Sequence, residues 1–151
     1  MSDDAAVWAI GQALEGWYQG LGRQFGPLSR SQRRVMKVLE GGRRVKIGEL
    51  ADLLALTTAG ATRMVDKLEA LGYVKRQRDP AEDQRFVHVV LTPAGQAALR
   101  EADAVFRARV VRSVETLSRE DRATLVELLA KLAAPAPELP APSPDRGAIG
   151  E

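Results

Sequence analysis

Val7, Ile10, Leu14, Trp17 and Leu21 recur at alternating steps of three and four, the spacing of a helix that offers one apolar seam to another helix. Ser2 can cap this helix, and Gly20, Gly22 and Gly26-Pro27 end it. The next helix opens at Ser29-Arg30-Ser31-Gln32, which reads as a capping box with Gln32 reaching back to the cap. It turns Val35, Val38 and Leu39 inward and stops at Gly41-Gly42. Arg43 to Ile47 reads as a short extended link, and a third helix from about Gly48 is expected to bury Leu50, Leu53 and Leu54. Leu56-Thr57-Thr58 interrupts that pattern. Thr57 is the expected cap of a fourth helix, whose apolar stripe is Ala61, Met64, Val65, Leu68 and Leu71, closed by Gly72.

The period then changes from helical to alternating. Residues 73–78 and 85–91 read as two strands around the polar turn Asp79-Pro80-Ala81-Glu82-Asp83, with Val87, Val89 and Leu91 on one face. Thr92-Pro93 supplies a cap and a first-turn proline for a long helix to about Thr116, with Leu99, Ala102, Phe106, Val110 and Val114 along one side. Ser118 caps a last helix from Arg119 to Ala133, striped by Leu125, Leu128, Leu129 and Leu132. Beyond it, a stretch rich in proline and alanine reads as an extended or disordered tail. Two short helices joined by a tight turn make a helix-turn-helix, and a hairpin directly after the second is a wing. The expected fold is mainly α with a small β-hairpin (α+β): a winged helix-turn-helix over 29–92, flanked by dimerisation helices in 1–28 and 93–134, with a tail over 135–151.

Composition narrows the function. At 151 residues with 45% apolar and 28% charged side chains, the chain is about one ordinary globular domain. It has no cysteine, which excludes disulfides, thiolate metal sites and thiol chemistry. The acidic start and the absence of a long apolar run lead to the expectation of a cytoplasmic protein with no membrane association. The net charge is only +2, yet residues 29–92 carry 13 basic against 8 acidic side chains, between two slightly acidic ends. Such asymmetry is either a footprint for a polyanion or a solvated basic face.

Placed on the predicted elements, Thr57, Thr58, Ala59, Thr62, Arg63 and Lys67 lie on or beside the polar face of the fourth helix. That helix can enter the major groove, where hydroxyls bond bases or phosphates, a methyl meets thymine, and Arg63 pairs with guanine or phosphate. Lys67, a turn later, suits the DNA backbone. Without the wing, the same face would be an ordinary helix surface. Arg85 sits where the hairpin returns and suits a narrow minor groove, with Asp83 positioning it; the alternative is a surface ion pair. Trp8, Trp17, Tyr18 and Phe25 could line an effector cavity, or could be core and seam residues. His88 is the only histidine and cannot build a zinc site alone, so no metal or cofactor is expected. Neither a phosphate loop nor a nucleophile with a partner base is present, and the chain does not read as an enzyme.

The run from Leu68 to Arg76 (Leu-Glu-Ala-Leu-Gly-Tyr-Val-Lys-Arg), then Asp83-Gln84-Arg85, then Val89-Val90-Leu91-Thr92-Pro93-Ala94-Gly95, resembles the signature of the MarR family. The order of elements also matches that family, over about residues 5–133. The resemblance implies a homodimer built from the first and last helices, and a repressor released by a small molecule or an oxidant, with an aromatic or anionic small molecule the expected effector here. Two-fold symmetry would then call for double-stranded DNA with a pseudo-palindromic operator. The rival reading is a helical protein-interaction module that uses the winged helix only as a scaffold.

Overall fold

The computed structural model describes residues 2–78, 81 and 86–133. Its elements run α1 (Asp3–Gly20), β1 (Gln24–Phe25), β2 (Leu28–Ser29), α2 (Arg30–Val38), a 3-10 turn (Glu40–Gly42) and β3 (Val45–Lys46). There follow α3 (Ile47–Leu54), α4 (Thr58–Ala70), β4 (Val74–Arg78), β5 (Val87–Leu91), α5 (Pro93–Ser113) and α6 (Arg119–Ala133). This is the expected α+β winged helix-turn-helix. Five of the six described α-helices follow a short hydroxyl side chain that caps them: Ser2, Ser29, Thr57, Thr92 and Ser118 all accept from backbone N–H groups three residues on, whereas α3 follows Lys46 without a side-chain cap. At Ser29 the Gln32 side chain completes the reciprocal capping box.

Two features were not expected. The link after Gly42 carries a third strand: β3 pairs with β5, matching Val45 to Val89, so the sheet order is β3-β5-β4. Gly26-Pro27, with Gly26 in the left-handed region at φ +54°, turns a minute hairpin between β1 and β2. A strand in the centre of a sheet loses strict alternation, and β5 accordingly buries His88, Val89 and Val90 in succession while Val87 is only half-buried.

The core gathers Phe25 and Leu28, Val35, Met36 and Leu39, Val45, Leu50 and Leu54, Val65 and Leu68, Val74 and Val89, with Ala98, Leu99 and Ala102 from α5. Each large side chain buried there contributes about 1.5–3 kcal/mol of transfer free energy. Two expected core residues lie outside it. Leu53 is 54% exposed, because Leu50, Ala51 and Leu54 already fill the inward face of an eight-residue helix. Leu71 is 51% exposed: it is the C-cap of α4, and the turn at Gly72 (φ +76°) brings Tyr73 and Val74 inward in its place.

The described chain divides into two compact units at Ser113/Val114. α5 therefore belongs with the first unit, three residues shorter than the periodicity suggested. In the second unit, Ser118 and Asp121 form a reciprocal cap, and Arg122 donates back to the carbonyls of Val114 and Glu115. No residue of α6 is buried; Leu125, Leu128 and Leu132 face solvent. Among the described residues no helix is long and apolar enough to cross a membrane.

Candidate nucleic-acid interface

α4 is two-sided. Ala61, Val65 and Leu68 are fully buried, whereas Thr57, Thr58, Ala59, Arg63 and Lys67 are exposed and Thr62 is half-buried. The side chains of Arg63 and Lys67 have no ion pair or hydrogen bond with the described residues, so both charges are available to a ligand. The two hydroxyls at the start of the helix differ in capacity. Thr57 Oγ1 accepts from Gly60 N–H at 3.0 Å, which leaves its own proton to donate, as a phosphate oxygen requires. Thr62 Oγ1 donates to the Thr58 carbonyl at 2.9 Å, which leaves it an acceptor, suited to the amino group of adenine or cytosine. Gly60 has a local reason: a Cβ there would lie 3.0 Å from Thr57 Oγ1 and press on the cap.

The hairpin is fixed to this helix by Arg76, a residue the sequence reading gave no role. Its guanidinium meets Asp66 at 2.7 Å and Glu69 at 3.2 Å, and its backbone N–H donates to the same Glu69 carboxylate at 3.2 Å. Strand β4 is thereby clamped to the outer side of α4. Asp66 and Glu69 sit three apart on one helical face, and Arg76 follows the turn at Gly72; that spacing was the available signal. β4 and β5 pair over five positions, from Val74 opposite Leu91 to Arg78 opposite Val87. At the turn end of the paired strands, the Lys46 ammonium lies 3.7 Å from the centre of the Phe86 ring. Asp83 and Arg85 lie outside the described residues.

Behind the hairpin, Thr92 and Gly95 pin the β5–α5 junction to the turn that leads from α4 into β4. Thr92 N–H donates to the Tyr73 carbonyl, its hydroxyl donates to Gly72 O, and the same oxygen accepts from Gly95 N–H. A Cβ on Gly95 would lie 1.9 Å from the Tyr73 carbonyl oxygen, so only glycine fits. The Leu-Thr-x-x-Gly run is thus a packing joint between the wing and the long helix.

A sequence profile of the MarR family matches residues 27–85, from just before β2 to the residues that precede β5. A solved structure described as a probable transcriptional regulator from Pseudomonas aeruginosa is 30% identical, with a TM-score of 0.67 over 82% of this chain and 96% of that one. The chain belongs to the MarR family. YfiV, an uncharacterised HTH-type transcriptional regulator of Bacillus subtilis, is 30% identical over 105 residues, 70% of this chain and 65% of YfiV. The chain spans less than two thirds of the length of YfiV and of YkoM, a second such regulator of that organism. A mutant MarR from E. coli, crystallised in complex with operator DNA, shares the fold at 23% identity and a TM-score of 0.69 over 88% of this chain and 99% of that one.

The four aromatics of this MarR-family chain do not surround one cavity. Phe25 is 1% exposed and packs edge-on against Phe106, at 5.5 Å between ring centres. Tyr18 lies under the Arg30 guanidinium, which also donates to the last carbonyls of α1. Trp8 is 71% exposed. Trp17 lines an open cleft of about 640 Å³, shared with Leu21, Gly22, Arg109, Arg112 and Ser113. Its indole N–H donates to Ser113 Oγ at 3.0 Å, and Arg109 donates to the Leu21 carbonyl at 2.8 Å.

Proposed function

We propose that the protein is a transcriptional regulator that binds double-stranded DNA sequence-specifically, with α4 in the major groove and the wing in the adjacent minor groove. The observation that carries this reading is the two-sided α4. Its outer face offers a donor hydroxyl, an acceptor hydroxyl, a methyl and two uncommitted cations, beside a hairpin held in place by the Arg76 clamp. Arg63 is the base-reading candidate, Thr57 and Lys67 the backbone contacts, and Thr58, Ala59 and Thr62 complete the face presented to base edges. In the wing, Arg85 would enter the minor groove with Asp83 holding it. A helical interaction scaffold would need neither the unpaired cations nor the clamp.

The unit of binding in this reading is a homodimer on a pseudo-palindromic operator, with half-sites about one helical turn, roughly 10 bp, apart. α1 supports it: no residue of that helix is buried, although Val7, Trp8, Ile10, Leu14 and Trp17 all stand on it. Release would follow from a small aromatic anion in the α1–α5 cleft, where the Trp17 ring offers an apolar wall and Arg112 a guanidinium with no partner among the described residues. Such a ligand acts only if it binds the DNA-incompetent state more tightly. The decisive experiment is a gel shift on the intergenic DNA flanking the gene, with and without benzoate-type carboxylates. A retarded band that these compounds dissolve supports a repressor relieved by an effector, and a DNA-binding protein indifferent to them loses the effector from the account.

A further inference from the structure

We infer that Arg34, with Ser31 beside it on α2, is a second phosphate contact flanking the recognition helix; the inference rests on the DNA-binding reading above. α2 carries four cations, and three of them hold the fold together. Arg30 donates to the carbonyls of Tyr18, Gln19 and Gly22, closing the end of α1. Arg33 meets Asp103 of α5 at 2.7 Å and lies 3.9 Å from the centre of the Phe106 ring. Lys37 bridges Glu40 and Asp103, and its hydrogen bond to Glu40 leads the interactions that hold its ammonium above its ordinary pKa. Arg34 alone is exposed and makes no ion pair or hydrogen bond with the described residues.

Its position gives the spare charge a use. Ser31 and Arg34 share a small hollow of about 100 Å³ with Val35, Leu54, Leu56, Gly60 and Met64. Gly60 and Met64 are the flank of α4 that faces α2, next to the Thr58, Ala59, Thr62 and Arg63 face. Among the described residues, no acidic side chain lines that hollow. A duplex whose major groove receives α4 must pass its sugar-phosphate backbone along one side of the helix. On the α2 side, Arg34 can meet a phosphate with its guanidinium and Ser31 with its hydroxyl. Such contacts fix the register of the protein on DNA and carry no sequence information. The contact is therefore distinct in kind from Arg63.

The probe is a mixed-sequence 30-base-pair duplex, labelled for fluorescence anisotropy and titrated across salt concentrations. Arg34→Ala should weaken binding several-fold at moderate salt and lower the slope of log affinity against log salt by about one per protomer. Arg34→Lys should restore the slope. Arg107→Ala removes the same charge from an exposed position on α5 and should leave it unchanged, and melting temperatures of the Arg34 variants should match the wild type. Equal slopes for wild type and Arg34→Ala overturn the inference while leaving DNA binding intact, as does an equal fall in slope for Arg107→Ala, which would reduce the effect to net charge. A wild-type protein that binds no duplex at all overturns the DNA-binding reading, and the inference with it.

Discussion

Arg76 ties the hairpin to α4, and Gly95 lets the start of α5 pack against the turn between α4 and β4. Gly95→Ala drives a methyl into a backbone carbonyl 1.9 Å away, and backbone cannot yield as a side-chain tip would. The expected cost is about 3 kcal/mol, at the upper end for overpacking, or a fall of roughly 10 °C in melting temperature. A melt within two or three degrees of wild type would mean that the joint adjusts. Arg76→Ala should behave differently. Its ion pairs are partly exposed and contribute about 1 kcal/mol to stability, so the melt should barely move. DNA affinity should fall more, because Asp66 and Glu69 are left uncompensated beside a polyanion. Adding Asp66→Asn and Glu69→Gln should recover much of that affinity, whereas loss that persists would show that Arg76 itself touches DNA. Caps were legible in the sequence because Ser and Thr before an apolar run satisfy orphan N–H groups locally. The role of Arg76 was not, since it needs three residues from a helix and a strand to meet across a turn.

Among the elements, those with a strong helical period were readable and those defined by non-local pairing were not. The two-residue strand Val45–Lys46 has no period of its own; only pairing with β5 makes it a strand. Leu71 joined the apolar stripe of α4 by spacing, yet the turn at Gly72 removed it from the core. The wing can be tested as an element. Arg85→Ala should weaken operator binding by about 1–3 kcal/mol. Asp83→Ala removes a negative charge near DNA, so electrostatics alone predicts tighter binding. If Asp83 orders Arg85, binding weakens instead, and in an Arg85→Ala background Asp83→Ala should cost little. Tighter binding for Asp83→Ala together with no change for Arg85→Ala would reduce the wing to a surface hairpin. For α1, Ile10→Glu places a charge in the exposed seam and should convert a dimer into a monomer in sedimentation at micromolar concentration. A wild-type monomer would remove the dimer from the account.

For the whole molecule, the concentration of basic charge in residues 29–92 acquires a structural division of labour. Arg30, Arg33, Lys37 and Arg76 are spent on internal contacts, and Arg34, Arg63 and Lys67 are left for a partner. Charge counting could not separate these sets, because the difference lies in which acidic residues the fold brings near. Likewise, four aromatics grouped by sequence proved to serve four different surroundings, since Phe25 is drawn into the core by the β1–β2 hairpin. The central claim is that α4 reads DNA sequence. It is tested most directly by anisotropy with wild type and Arg63→Ala, each titrated with the flanking intergenic duplex and with a mixed-sequence duplex of equal length. The account predicts that wild type prefers the intergenic duplex by about 10³-fold or more. Arg63→Ala should lose at least tenfold of that preference while keeping its affinity for the mixed sequence within a few-fold. Equal affinity of the wild type for both duplexes would contradict it.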